Sequence, residues 1–223
     1  MAPQPAVARR ERERDLVRAT RALFDERGMQ DAPIEEIAKA VGIARGLIYR
    51  QFASKEELYV LTVTDYLAEL DGVLRDARDE TLDPAAQLEA WGRAYVGFCL
   101  RYPAFLDCTL SLMRRPAREL REALSDSVWL RLGQGIARCV AYVSDILREG
   151  AQDGTFDVDD PDYVANVLWT QILGTTHLAR IRVGIRQAAP GVPELFKVEP
   201  DEVARTCVAS ALATVGVRSA RRG

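Results

Sequence analysis

Basic and aromatic residues cluster within residues 44–55, at a spacing that places several of them on one side of a short helix. Four basic residues and no acidic residue occur between Ile37 and Lys55. Arginine donates paired hydrogen bonds to guanine edges, and lysine, tyrosine and backbone amides bind phosphate oxygens. This chemistry predicts contact with duplex DNA. The residues expected to make that contact are Ala44, Arg45, Gly46, Leu47, Tyr49, Arg50, Gln51 and Lys55.

The residues around this cluster predict two short helices joined by a tight turn. Helical spacing gives the first helix an apolar face made of Ile34, Ile37, Ala38 and Val41. The same spacing gives the second helix an inner face made of Ala44, Ile48 and Phe52. Gly42 lies between them, where the backbone must take a positive φ, and glycine does this at little cost. The second helix therefore presents its basic face outward.

Residues 34–59, IEEIAKAVGIARGLIYRQFASKEELY, resemble the recognition region of the TetR family of transcriptional regulators. The positions that match the family pattern are Gly42, Tyr49, Phe52, Lys55 and Leu58. Two positions depart from it. Ala44 replaces the usual Ser or Thr cap of the recognition helix, a loss of about 1 kcal/mol. Leu47 occupies an outer position that is often small and polar.

The resemblance implies a homodimeric regulator, most simply a repressor, that binds a palindromic operator. It also implies that the middle helices enclose a mostly apolar pocket for a small, largely hydrophobic effector. The residues predicted to line this pocket are Trp91, Tyr95, Phe98, Phe105, Cys108, Leu112, Trp129, Tyr142 and His177. Packing in an ordinary core is the alternative explanation for these side chains.

The composition is that of a helical, globular protein. Of 223 residues, 48% are hydrophobic and 28% charged. No apolar run approaches the roughly 18 residues of a membrane-spanning helix. The N-terminal residues lack the apolar segment of a secretory signal, so a cytoplasmic location is expected. The net charge of −3 means that DNA binding must depend on a local basic surface.

Proline and glycine divide the chain into about nine predicted helices, and the fold class is all-α. The first helix is expected from Arg9 to Arg27, after a loose arm at residues 1–8. The next two form the helix-turn-helix head. Ser54 and Glu57 have the spacing of a capping box at the start of the fourth helix, which continues to about Arg78.

The later helices are expected at residues 84–101, 103–114, 116–150, 161–183 and 200–216. Residues 184–198 are expected to form a loop. These boundaries predict a DNA-binding domain at residues 1–54 and an effector-binding and dimerisation domain at residues 55–223.

The predicted eighth and ninth helices carry apolar stripes that suit a dimer interface built as a four-helix bundle. The stripe on the eighth helix is Ala165, Leu168, Ile172, Thr176 and Ala179. The stripe on the ninth is Ala204, Cys207, Val208, Ala211 and Val215.

No motif for catalysis, a metal or a cofactor is present in the sequence. The acidic turn that begins at Asp153 lacks the glycine and glutamate of a calcium loop, with Val158 and Val164 in their places. The four cysteines are not in paired motifs and are expected to be reduced core residues. The predicted function is therefore a DNA-binding regulator that is not an enzyme and needs no cofactor. A small all-α enzyme or ligand carrier with a purely structural head is the alternative.

Overall fold

A computed structural model describes residues 5–28 and 33–216, with side chains from Ala8 onward. The described chain consists of ten α-helices and one two-stranded antiparallel sheet. The helices are α1 (Pro5–Arg27), α2 (Ile34–Val41), α3 (Arg45–Gln51), α4 (Lys55–Ala77), α5 (Pro84–Arg101), α6 (Pro103–Met113), α7 (Ala117–Ala123), α8 (Asp126–Gln152), α9 (Pro161–Ile181) and α10 (Pro200–Thr214). The strands are β1 (Val183–Ala189) and β2 (Val192–Lys197). The all-α prediction is confirmed, with the small sheet as an addition.

Three predicted boundaries are wrong. The first helix begins at Pro5 rather than Arg9, and residues 1–4 lie outside the described chain. The predicted helix at 116–150 is two helices, α7 and α8, separated at Leu124–Ser125. The cause of this break is the buried Glu57 carboxylate, which accepts a hydrogen bond from the Ser125 amide at 2.7 Å and so takes that amide away from a continuous helix.

The predicted loop at 184–198 is instead the β1–β2 hairpin, with Ile185 paired to Leu195. Val183, Ile185 and Leu195 alternate with other residues, as β-strands require. Gly191 has φ 78° and provides the turn. Pro193 is tolerated because both strands of a two-stranded sheet are edge strands.

The chain divides into two compact units. The first contains the described residues up to Glu69 together with Tyr102–Ile136, and the second contains Leu70–Arg101 and the described residues from Ala137 onward. α4 and α8 each contribute residues to both units. The functional boundary expected at residue 54 stays a prediction.

Apolar side chains of the first four helices form the core of the first unit. Ile37 and Ile48 are almost completely buried, as are Phe24 of α1 and Leu58 of α4. The predicted inner faces are therefore confirmed, with two exceptions. Val41 at the end of α2 is only half-buried, and Ala44 is exposed at the start of α3.

Arg21 joins α1 to α4 within this unit. Its guanidinium forms ion pairs with Asp65, at 2.8 Å, and with Glu69, and it lies 4.2 Å from the centre of the Tyr66 ring. Burial alone would lower the pKa of Arg21, but the two carboxylates raise it, so the side chain remains charged. This network holds the helix-turn-helix head on the first half of α4.

α5, α9 and α10 pack on one another in the second unit. Most of the residues predicted to form the dimer stripes are buried in this packing, including Leu168, Ile172 and Ala211. Ala204 is half-buried. The stripes are thus part of the protomer's own core, so the prediction that these particular residues contact a second protomer is wrong. The prediction that α9 and α10 form the dimer interface stays a prediction.

Candidate DNA-binding surface and ligand pockets

The helix-turn-helix is built by local backbone preferences. α2 ends at Gly42, whose φ of 71° turns the chain and whose amide bonds to the Ala38 and Lys39 carbonyls. Ala44 has an extended backbone and caps α3 without a side-chain hydrogen bond. The missing Ser or Thr cap is therefore not replaced at this position. α3 begins at Arg45 and places its residues in the predicted order.

The outer face of α3 carries the predicted DNA-contacting residues. Arg45, Gly46, Tyr49 and Arg50 are exposed, and a side-chain atom added at Gly46 would meet nothing within 4 Å among the described residues. Leu47 is half-buried at the edge. The outer face of α3 is therefore accessible to a partner as large as duplex DNA.

The side chain of Arg45 is held by neighbours in the DNA-free chain. It forms an ion pair with Glu35 of α2 at 2.5 Å and donates to the Tyr49 hydroxyl at 3.5 Å. Hydrogen bonding to Tyr49 and the charge of Glu35 raise the pKa of Arg45. The sequence places no acid between Ile37 and Lys55, but folding brings Glu35 to this face. In the DNA-free chain, the positive charge of Arg45 is therefore paired with a carboxylate of the neighbouring helix.

Residues 51–57 connect α3 to α4 through side-chain hydrogen bonds. Gln51 donates to the Arg9 carbonyl at 3.3 Å, which joins the end of α3 to α1. The Glu57 amide bonds to Ser54 Oγ at 3.1 Å, and the Ala53 amide donates to Glu57 Oε2 at 2.9 Å. The capping box is confirmed, although the carboxylate accepts from Ala53 rather than Ser54.

Lys55 lies between the two residues of this capping box, and it is exposed in the first turn of α4. Its ammonium lies 4.9 Å from the centre of the Tyr59 ring. A cation over an aromatic face is held electrostatically while it keeps its outer side free for an anion. Lys55 is thus available to a phosphate beside α3.

The nine predicted pocket residues are divided between the two units. Phe105, Cys108, Leu112 and Trp129 belong to the first unit. Trp91, Tyr95, Phe98, Tyr142 and His177 belong to the second. Cys108 and Leu112 line one cavity in the first unit, together with residues of α4.

An aromatic cluster in the second unit contains two unsatisfied donors. Tyr95 stacks on Trp169 at 4.3 Å between ring centres and contacts Trp91 at 5.6 Å. The Tyr95 hydroxyl and the Trp91 Nε1 are buried and have no hydrogen-bond partner among the described residues. A buried donor without a partner costs about 1–3 kcal/mol. These two atoms are suited to a polar group on a ligand or to a bound water.

Trp169 was not among the predicted pocket residues. It is directly adjacent to Leu168, so helical spacing alone assigned it to a different face of α9. The available signal was its residue type, since a third tryptophan near two aromatic helices is a candidate for stacking. Tyr142, a predicted pocket residue, already has a hydrogen-bond partner, because its hydroxyl donates to Asp71 at 3.0 Å.

The cysteines are buried and unpaired, as predicted. Burial raises the pKa of Cys108 and Cys139 to about 12, so both thiols are neutral at pH 7. Within the part of the chain that the structure describes, no group of three or more His, Cys, Asp or Glu residues could hold a metal ion.

Residues 16–61 match the family model of the bacterial regulatory proteins of the tetR family. Over 186 residues the chain is 26% identical to the transcriptional repressor KstR2 of Mycobacterium tuberculosis, an alignment that covers 80% of this chain and 82% of KstR2. The chain belongs to the TetR family. The matched segment contains the whole helix-turn-helix and the exposed face of α3.

Solved TetR-type structures share the fold of this TetR-family chain. RolR in complex with resorcinol has a TM-score of 0.69 and 20% identity, covering 96% of this chain and 92% of RolR. FadR of Bacillus subtilis in complex with stearoyl-CoA has a TM-score of 0.66 and 15% identity, covering 91% of this chain and 98% of FadR. At this level of identity the likeness shows the fold alone.

The TetR-family chain is a DNA-binding transcriptional regulator, and its relatives are regulators rather than enzymes. The alternative of a small enzyme or ligand carrier is not favoured. No described helix combines the length and apolar character that crossing a bilayer requires.

Proposed function

We propose that this regulator is a homodimeric repressor that binds a palindromic duplex operator through α3 and is released by a small, largely hydrophobic effector. The observation that carries the proposal is the exposed outer face of α3, with Arg45, Tyr49 and Arg50 beside Lys55. KstR2 is named as a repressor, which supports the direction of regulation. RolR binds resorcinol and FadR binds stearoyl-CoA, which supports an effector with an apolar body. Such a regulator acts in the cytoplasm, where bacterial operator DNA lies.

The contacts of α3 divide into two classes. Arg45 lies at the N-terminus of α3, the end that enters the major groove first in this motif, and it reads a base edge. Ala44, Gly46, Arg50 and Gln51 lie alongside it in the groove. Tyr49 and Lys55 bind phosphates and fix the position of α3 on the duplex. Leu47 contacts a thymine methyl or packs beside Ile48.

The operator is the first test of this function. Selection of bound sequences from a random duplex pool is expected to yield a palindrome. Its half-sites should be separated by one or more helical turns, since two-fold symmetry sets two α3 helices against one face of the duplex. A pool that shows no enrichment, or binding that does not fall as salt rises, would argue against a sequence-specific regulator.

Arg45→Ala is expected to relax the preference for one base pair in each half-site. A bidentate arginine–guanine pair contributes about 1–3 kcal/mol of discrimination, so the ratio between correct and substituted operators should fall by about tenfold or more. Fluorescence anisotropy with single-base operator variants measures this ratio at fixed salt.

Arg93→Ala is the matched control for Arg45→Ala. Arg93 is an exposed arginine on α5 that pairs with Glu89 and lies outside the head. Its loss removes the same charge and should leave the ranking of operators unchanged. If Arg45→Ala keeps the wild-type ranking, Arg45 does not read a base.

The dimer interface is proposed on the exposed sides of α9 and α10. On α9, an exposed row recurs at helical spacing and consists of Tyr163, Thr170, Gly174, Leu178 and Ile181. On α10, the exposed row is small and consists of Thr206, Ala209 and Ala213. Small residues let two helices approach closely, which suits a four-helix bundle between protomers.

The β1–β2 hairpin extends this surface. Ile185 and Leu195 are 73% and 68% exposed, and they pair on one face with Val183. Val183 follows α9 after one residue, so the hairpin begins next to the exposed Leu178 and Ile181 at the end of α9. Exposed apolar residues grouped in this way often mark an interface. A second copy of the chain is the expected partner.

The effector is proposed to bind beside Tyr95 in the second unit. Its apolar body would contact Trp91, Tyr95 and Trp169, and a hydrogen-bond acceptor on it would satisfy the two buried donors. Effector binding releases DNA only if it favours a protein state that fits the operator poorly. Operator DNA must then weaken effector binding by the same factor.

Tyr95→Phe is expected to stabilise the effector-free protein by about 1 kcal/mol, because it removes a buried hydroxyl that has no partner. Urea-induced unfolding at a fixed protomer concentration measures this change. Tyr142→Phe is the matched control, because the Tyr142 hydroxyl donates to Asp71. That variant should lose about 1 kcal/mol. If Tyr95→Phe is as destabilising as Tyr142→Phe, the Tyr95 hydroxyl has a partner in the free protein.

A further inference from the structure

The first unit contains a cavity of about 230 Å³ next to the start of α4. It lies between Tyr59 and Val63 of α4 and Cys108 and Leu112 of α6, and we refer to it as the α4–α6 pocket. Tyr95 and the aromatic cluster around it belong to the other unit. The α4–α6 pocket is therefore a separate candidate site within the first unit.

The inner wall of the α4–α6 pocket is apolar. Val63 and Cys108 are buried, and Leu120 of α7 completes the wall. The Cys108 thiol is neutral at pH 7, because burial raises its pKa to about 12. An occupant therefore meets hydrocarbon, an aromatic ring and an uncharged sulfur at depth.

Two cations and one carboxylate line the same pocket. Lys55 lies over the Tyr59 ring, and Arg115 follows α6. Neither cation forms an ion pair with another residue that the structure describes. Glu56 is the single acidic residue of the lining, so the charges sum to positive. An anion is favoured over a cation in this setting.

We propose that the α4–α6 pocket binds a small monocarboxylate with an apolar body, whose carboxylate is held by Lys55 and Arg115. The apolar body fills the space against Tyr59, Val63 and Leu112. The cavity volume lies below the roughly 300–1,000 Å³ of sites for drug-sized ligands. A short acyl chain or a single substituted ring therefore matches it, and a nucleotide-bearing thioester does not.

Lys55 connects this pocket to DNA. The connection rests on the proposed function, in which the same ammonium binds an operator phosphate. An ammonium that holds a carboxylate is no longer available to the phosphate, so ligand and operator compete for one side chain. This competition requires no change in the spacing of the two heads. By linkage, operator DNA weakens carboxylate binding by the factor by which carboxylate weakens operator binding.

The test uses the full-length protein and octanoate as the probe, with 1-octanol as an uncharged ligand of the same chain length. Calorimetry measures ligand binding, and fluorescence anisotropy measures affinity for the selected operator. Octanoate should bind and should raise the operator Kd, and octanol should bind about tenfold or more weakly, because a hydrogen bond to a charged group is among the strong ones. Octanol that binds as tightly as octanoate would overturn the role of the two cations.

Two variants should affect the pocket alone, and a third should affect both the pocket and the DNA surface. Arg115→Gln should weaken octanoate about tenfold or more and leave operator affinity unchanged when no ligand is present. Leu112→Trp should block octanoate by filling the pocket from a half-buried position, again without loss of operator binding. Lys55→Gln should weaken the binding of octanoate and of the operator, and it should lower the salt slope of operator binding by about 1.

The outcomes distinguish the two proposals. Wild-type protein that selects no operator contradicts the proposed function, whatever octanoate does. If the protein binds its operator but does not bind octanoate, the proposal that the α4–α6 pocket binds a monocarboxylate is wrong. If octanoate still binds the Leu112→Trp protein, the ligand does not lie in the α4–α6 pocket. If octanoate binds the wild type and leaves its operator affinity unchanged, the proposed competition for Lys55 is wrong. Octanoyl-CoA that binds more tightly than octanoate would overturn the size limit.

Discussion

Gly174→Arg is expected to produce a folded monomer that binds the palindromic operator about 10²–10⁴-fold more weakly than the wild type. Gly174 lies on the exposed row of α9, and an added side chain there meets nothing within 4 Å among the described residues. The protomer therefore accommodates arginine, which is also a better helix former than glycine. In the proposed dimer, the same arginine inserts a charge where two helices approach closely. A monomer loses the avidity of two linked half-sites, which sets the size of the effect.

Gly97→Arg is the matched control for this prediction. Gly97 is an exposed helical glycine of α5, and it too has nothing within 4 Å of an added side chain among the described residues. This variant should remain dimeric and bind the operator normally. Light scattering at micromolar protomer concentration and operator anisotropy measure both properties. A Gly174→Arg protein that stays dimeric would exclude this face of α9 from the interface.

Glu57→Ala is expected to destabilise the protein by roughly 2–4 kcal/mol. The Glu57 carboxylate is buried, and its two oxygens accept from the Ala53 and Ser125 amides at 2.9 and 2.7 Å. Its removal leaves both amides without a partner, and each unsatisfied buried group costs about 1–3 kcal/mol. The residue also joins the turn before α4 to the start of α8. Urea-induced unfolding at fixed protomer concentration measures the loss.

Glu56→Ala is the control at the adjacent position. Glu56 lies in the same first turn of α4 and is half-buried, and no described hydrogen bond or ion pair involves it. Its favourable interaction with the helix N-terminus contributes about 0.3–1 kcal/mol. A Glu57→Ala protein no less stable than Glu56→Ala would show that other donors or waters replace the Glu57 carboxylate.

The contribution of Glu57 should also depend on pH. Burial would raise the pKa of its carboxyl group, but hydrogen bonds from Ser125 and from the Ala53 amide lower it. The pKa of Glu57 in the folded protein is therefore below its usual value of 4.5. A group whose pKa is lowered by folding stabilises the folded state above its unfolded pKa. The stability difference between wild type and Glu57→Ala should therefore be constant above about pH 5. It should shrink as the pH falls through the folded pKa.

The sequence by itself determined the local boundaries of the fold. Gly42 predicted the turn before α3, and Ser54 with Glu57 predicted the start of α4. Proline at residues 84, 103, 161 and 200 predicted the start of four further helices. These signals are reliable because each restricts φ, or satisfies a backbone amide, within a few residues.

The predicted recognition surface was also local in origin. Arg45, Tyr49 and Arg50 lie within one short helix, so the period of the helix determines that they share a face. The opposite side is identified by Ile48, which is buried. Nothing distant in the chain is needed to place these residues together.

Only the tertiary structure decided which partners meet over longer separations. Glu35 reaches Arg45 from a different helix, and Glu57 interrupts a predicted helix by accepting from Ser125, which lies 68 residues away. Neither contact leaves a signal in residue spacing. Charge and hydrogen-bond partners of this kind depend on how helices pack, and several arrangements are compatible with the same spacing.

The orientation of α9 was decided in the same way. Its residue spacing predicted one apolar stripe, centred on Leu168 and Ile172, and predicted no role for the side that carries Gly174 and Leu178. Packing against α5 and α10 buried the first and left the second exposed, so the proposed dimer surface is opposite to the predicted one. The sequence determined that α9 would form and that it would bury an apolar face. The choice between its two faces depended on the shapes of the helices that surround it, because burial is non-directional and is determined by close packing.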